Sequence, residues 1–139
     1  MSYHKLIIVG NLGNDPEMRY TPSGQGVTNF SVASNRAFTD SNGQSVKETV
    51  WFRISVWGKQ AESCNQYLTK GKMVLIEGEL RPDRDTGRPR IWTTKDGKPS
   101  ASYDVYARNV RFLSAKGAEV EPEFGEMEGG ELGEEDIPF

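Results

Sequence analysis

Two tryptophans, an arginine and a lysine are concentrated in Thr49-Val50-Trp51-Phe52-Arg53-Ile54-Ser55-Val56-Trp57-Gly58-Lys59. Read as a strand with period two, Trp51, Arg53, Ser55 and Trp57 share one face, and Val50, Phe52, Ile54 and Val56 the other. The second face suits a sheet core, because it is bulky and carries no polar atom. The first face sets flat aromatics beside a cation on what should be the wet side. Such a row costs solubility unless it binds something flat and negatively charged. Unpaired nucleobases joined by phosphates meet that requirement. The alternative is a strand buried on both sides, with Trp51 and Trp57 packed under a loop or a subunit partner.

Aromatic and cation occur together twice more, as Phe38 with Arg36 and as Trp92 with Arg90, in addition to Trp51 and Trp57 with Arg53 and Lys59. Lys70 and Lys72 add two further positive charges near the end of a helical segment. Each of these cations is a candidate for tracking phosphates or else a solvated surface charge. Other chemistry finds no support. The sole histidine is His4, and no nucleophile–base pair or carboxylate constellation is present, so no catalytic residue and no enzyme activity is expected. The single cysteine, Cys64, excludes an internal disulfide framework and a cysteine-built metal site; no metal or cofactor is expected. Gly10-Asn11-Leu12-Gly13 lacks the Lys-Ser/Thr of a phosphate-binding loop and no helix follows it, so it reads as a strand end.

The chain has 139 residues and a hydrophobic content of 35%, low for a sequence folded throughout. Its net charge of −3 hides a split. All 17 Lys and Arg lie in residues 1–116 against 11 Asp and Glu, giving +6, whereas residues 117–139 hold nine acids and no base, giving −9. The body can thus bind a polyanion although the sequence pI is about 5.3. No apolar run approaches a membrane span, and the N-terminal residues carry neither a secretion pattern nor an Arg-rich transit segment. The expectation is a cytoplasmic protein with no membrane contact.

The elements that must position these side chains follow in order. His4–Leu12 is an apolar strand closed by Gly13-Asn14-Asp15-Pro16. Met18–Tyr20 continues after that turn, and Gly26–Arg36 alternates as a second strand. Residues 37–48 read as a polar hairpin loop with Asn42-Gly43 near its tip. The tryptophan strand is third. From Lys59 to Lys70, Ala61, Cys64, Tyr67 and Leu68 recur at helical spacing, with Lys70 in the last turn and Gly71 as the residue that ends the helix. Met73–Leu80 is a fourth strand in which Gly78 suggests a bulge. Residues 81–102 form a long basic loop or splayed hairpin around Trp92, and Tyr103–Leu113 is the fifth strand. Gly117–Glu135 is too acidic and glycine-rich to bury a core and reads as disordered. The closing Asp136-Ile137-Pro138-Phe139 puts an apolar tip on that acidic tail, which reads as bait for a partner protein.

Three strands, a helix and two strands is the order of the OB-fold, a five-stranded Greek-key barrel that binds oligonucleotides. The expected architecture is all-β with one short helix, a barrel in residues 1–116 and a disordered acidic tail in 117–139. The sequence also resembles the bacterial single-stranded DNA-binding protein family over nearly its whole length. The resemblance is carried by Leu6 through Tyr20, Trp51 through Lys59, Tyr67-Leu68-Thr69-Lys70-Gly71 and the Asp136–Phe139 terminus. It implies a homotetramer that wraps single-stranded DNA in replication, recombination and repair, close to the nucleoid. It places base-stacking aromatics at Trp51, Trp57 and Trp92, and it implies that the last residues dock replication, recombination and repair proteins. Phe38 stands where many members have tryptophan, Trp57 where many have phenylalanine, and Phe52 where histidine is frequent. Arg84 to Arg90 lengthens the 81–102 loop. The competing reading is an OB-fold protein–protein adaptor, its aromatics serving subunit contacts, with no direct nucleic-acid binding. A tail lying in the basic groove as a brake on DNA binding is a further expectation, motivated by the +6 and −9 split.

Overall fold

The computed structural model describes residues 1–114, and the acidic segment with its Asp136–Phe139 tip lies outside the described residues. The elements are β1 Leu6–Leu12, β2 Glu17–Tyr20, β3 Gly26–Thr39, β4 Ser45–Trp57, α1 Lys59–Tyr67, β5 Met73–Leu80, β6 Ile91–Thr93, β7 Pro99–Ala101 and β8 Tyr103–Phe112. Hydrogen bonding runs β1-β5-β8-β4-β3, and β3 returns to β1, so five strands close a barrel of the OB type. β4 and β8 are its parallel pair, from Phe52 opposite Tyr103 to Val56 opposite Ala107. β2 extends the sheet outside β3, and β6 with β7 forms a separate two-stranded arm.

Closure depends on two glycines. At the β1–β3 seam, where Asn11 faces Ala33 and Leu12 faces Val32, a Cβ on Gly10 would sit 2.1 Å from the Ala33 carbonyl oxygen. A Cβ on Gly78 would lie 2.0 Å from the Tyr106 carbonyl oxygen. The β5–β8 register shifts between Glu77 and Gly78, so the bulge suggested by that glycine is present.

Alternation fills the interior with Ile8, Leu12, Phe30, Val32, Ile54, Val56, Val74, Ile76 and Val105, and α1 contributes Cys64 to the same core, which Leu68, just past the helix, completes. Thr28 is the one fully buried hydroxyl of β3, and its Oγ1 donates to the Ala61 carbonyl at 2.6 Å, which ties the helix to the barrel.

Four local expectations change. The first strand begins at Leu6, not His4. The helix ends at Tyr67, because Leu68 turns to an extended conformation and drops into the core. Lys70 and Gly71 instead belong to a turn closed by Lys72 N–H donating to Thr69 O at 3.1 Å, with Gly71 at φ 94°. Most of residues 37–48 is ladder, not loop: β3 and β4 pair to Thr39 opposite Ser45, leaving a turn whose Asp40 carboxylate accepts from Asn42 and Gln44 N–H. A two-stranded ribbon in water needs no apolar face, so period two gives no sign of it. The same extension leaves Val50 exposed, since β8 joins β4 only from Phe52 onward. Among the described residues no helix is long and apolar enough to cross a membrane.

Candidate nucleic-acid interface

The pairing register sets the outer face row by row. Arg53 lies between Ser31 of β3 and Asp104 of β8; Ser55 lies between Asn29 and Tyr106, and Asn29 in turn faces Glu17 of β2. Over these rows runs an open groove of about 530 Å³, with Arg19, Arg53, Arg81 and Arg90 among its lining residues. Glu17 and Asp104 are its two carboxylates, so the lining keeps a net positive charge. Its floor is polar and already ordered. Ser55 Oγ donates to Asn29 Oδ1 at 2.7 Å, and Ser31 N–H donates to Asn14 Oδ1 at 2.9 Å.

Of the residues marked by the sequence, Arg53 and Arg90 line this groove, and together they hold Trp92. The guanidinium carbon of Arg90 lies 4.7 Å from the Trp92 ring centroid, and that of Arg53 lies 5.9 Å away. Both are within cation–π range. Arg53 shares the outer face with Trp51 and Trp57 as its period predicts, and its guanidinium also reaches the 81–102 arm. Trp51 and Trp57 are half-buried on the same face, on either side of the Arg53–Ser55 rows, outside the groove lining proper.

The other marked residues stand farther along the molecule. Phe38 pairs with Val46 in the protruding β3–β4 ribbon, its ring under Arg36 at 4.5 Å as the sequence suggested. Arg36 is also bonded to Glu48 at 2.9 Å, which offsets part of its charge. Lys59 opens α1 and is exposed. Lys70 and Lys72 lie in the turn after α1, which is tied to the β1 end by Gly71 N–H to Leu12 O and to the next loop by Lys70 N–H to Asp15 Oδ1. None of these lines the groove.

Sequence reasoning passed over Arg19, Arg81, Asp104 and Tyr106. Arg19 was discoverable, because strand parity from Glu17 puts it on the groove side. The Arg81 guanidinium sits 5.0 Å over the Tyr106 ring, a contact between segments remote in sequence that no local pattern signals. Away from the groove, burial pushes the Cys64 thiol up to about 12, so it is a packed core group and not a nucleophile. Arg108 donates to both carboxylate oxygens of Glu79, at 2.9 and 3.1 Å, and holds that carboxyl below its ordinary value. Among the described residues no group of three His, Cys, Asp or Glu could hold a metal ion.

Fold and site together define an OB-class barrel bearing a cationic groove with an arginine-held tryptophan at its side. Residues 3–113 match the Single-strand binding protein family, and the chain belongs to that family. It is 40% identical over 116 residues to the single-stranded DNA-binding protein of Neisseria meningitidis serogroup A, with 84% of this chain and 63% of that protein covered. To the single-stranded DNA-binding protein of Thermotoga maritima it is 41% identical over 117 residues, with 84% of this chain and 78% of that one covered. The chain thus spans less than two thirds of the length of the meningococcal relative. Among solved structures, a Plasmodium falciparum SSB in complex with ssDNA superimposes with a TM-score of 0.67 at 26% identity, over 82% of this chain and 97% of that one.

Proposed function

We propose that the groove face binds single-stranded DNA with little regard to sequence, by stacking bases and neutralising phosphates. The observation that carries this reading is Trp92, within cation–π range of both Arg53 and Arg90 at the side of a groove with four arginines in its lining. An aromatic offers every base a π-face, worth about 1–3 kcal/mol per stack, and cations beside it meet the backbone of the same strand. Trp51, Trp57, Trp92 and Phe38 are the stacking residues. Arg36, Arg53, Lys59, Lys70, Lys72 and Arg90 follow the phosphates, joined by Arg19 and Arg81. Trp51 and Trp57 bracket the Arg53 row, so the strand's path runs along the outer face of β4, whereas Phe38, opposite Val46, has the other parity and meets DNA only where the strand crosses the ribbon. Duplex DNA binds poorly, since its paired bases cannot reach these rings.

In this reading residues 1–116 are the DNA-binding domain and 117–139 an acidic tail. Its Asp136-Ile137-Pro138-Phe139 tip recruits replication, recombination and repair proteins. The protein acts as a homotetramer in the cytoplasm at the nucleoid, as a binding protein and not an enzyme, without metal or cofactor. Family membership and the DNA-bound structural neighbour support the DNA-binding role. The deciding experiment is tryptophan fluorescence during titration with oligo(dT) and with a matched duplex, at low and high salt. Strong quenching by the single strand alone is the expected result. No quenching, or equal response to duplex, would transfer the rings to protein contacts and favour the adaptor.

A further inference from the structure

We propose that Asp104 is a positioning residue: its carboxylate fixes Arg90, and through Arg90 the Trp92 ring, as a ready-made stacking wall for DNA. This inference rests on the DNA-binding reading of the groove. What draws attention to Asp104 is its sign. A carboxylate in a groove for a polyanion repels the ligand, so unless it has another task its presence weakens binding.

The geometry supplies that task. The Asp104 side chain is 11% exposed, and its Oδ2 accepts from Arg90 Nε at 3.3 Å. Its other oxygen accepts from the Ser102 hydroxyl. Its backbone carbonyl accepts Arg81 N–H at 2.8 Å, and in the β4–β8 ladder it stands opposite Arg53. One residue of the barrel wall therefore touches both ends of the 81–102 arm and neighbours the strand residue whose guanidinium meets the arm's tryptophan. Arg90 is 42% exposed at its side chain, so without this anchor it has a wide choice of rotamers. With the anchor, Arg90 and Arg53 hold Trp92 in place before any ligand arrives, which lowers the ordering cost of binding. Among the described residues Glu17, the other groove carboxylate, has no ion pair, and it is not needed for this role.

Charge and positioning predict opposite outcomes for Asp104→Asn in the full-length protein. Charge alone predicts tighter oligo(dT) binding, because the groove loses one negative charge. Positioning predicts binding weaker by about five-fold, the range of a partly exposed ion pair, together with loss of the share of quenching that Trp92→Phe removes from the wild type. Asp104→Glu should recover most of the affinity, and Arg90→Gln combined with Asp104→Asn should cost no more than Arg90→Gln alone. A second arm uses no DNA: acrylamide should reach Trp92 more readily in Asp104→Asn, with the Trp92→Phe protein as the reference that isolates its signal. Unchanged or tighter binding by a folded Asp104→Asn protein, or unchanged acrylamide access, overturns the inference. If acrylamide access rises but the wild type ignores oligo(dT), Asp104 orders the arm for some other ligand; the DNA reading then fails and the proposed stacking wall fails with it.

Discussion

The guanidinium carbon of Arg53 lies 5.9 Å from the centroid of the Trp92 ring, joining the middle of β4 to the arm that crosses over it. In the proposed DNA-binding reading, this contact joins a cation for phosphates and a ring for bases into one surface. It makes the two residues energetically dependent on each other, so each reports on the other in a mutant.

Trp92→Ala should weaken oligo(dT) binding by about 1–3 kcal/mol, the value of one base stack. Arg53→Gln should cost less at low salt but reduce the slope of log affinity against log salt by about 0.7, one phosphate's worth on a single strand. Combining the two should cost less than the sum, because each variant already disturbs the shared contact. Titrations at several salt concentrations give all three numbers.

Arg19→Gln should also lower the salt slope by about 0.7, although nothing in the aromatic pattern singles Arg19 out. It lines the groove from β2 and has no ion pair among the described residues. An unchanged slope would remove it from the DNA path.

Gly10→Ala should destabilise the fold by about 3 kcal/mol or more, read as a lower urea midpoint. Its Cβ would meet a backbone carbonyl at 2.1 Å on the barrel seam, and neither strand can retreat without opening the seam. Gly43→Ala is the contrast. Nothing lies within 4 Å of its Cβ, and only the φ of 79° opposes substitution, so the cost should be about 1 kcal/mol.

Thr28→Val should cost about 1 kcal/mol, because it removes the buried hydroxyl that donates to the Ala61 carbonyl and ties α1 to β3. Chemical denaturation of the two proteins measures it. An equal midpoint would mean that water replaces the hydroxyl.

Two pH effects have opposite signs. The Cys64 thiol is raised to about 12 from 9.0, so its contribution is complete below pH 9 and is lost as pH climbs toward 12. Its alkylation at pH 8 should therefore follow unfolding of the core, with rates that rise with urea. Glu79 is lowered by its hydrogen bonds from Arg108, so its contribution is present above the ordinary carboxyl range and disappears as pH falls through its depressed value. In Glu79→Gln the decline of stability with acid should be shallower, and the pair's exposure makes the difference small.

Sequence alone determined the elements that rest on local periodicity. Met73–Leu80 was legible end to end from its apolar residues and Gly78, and the two faces of the tryptophan strand kept their parity from Phe52 to Trp57. The fold class followed, since strand order around one helix admits few topologies. The resemblance added the family, and residues 3–113 bear it out. Arg36 with Phe38 and Arg90 with Trp92 were legible because partners two apart on one strand or segment need no tertiary information.

Tertiary structure decided the rest. That Arg53 meets Trp92, that Arg81 covers Tyr106 and that Asp104 holds Arg90 depends on where a long arm crosses the barrel. Local sequence encodes the direction of a side chain relative to its own strand, through the pleat. It does not encode which distant segment lies opposite, because that choice is made only when the barrel closes and all strands share one core.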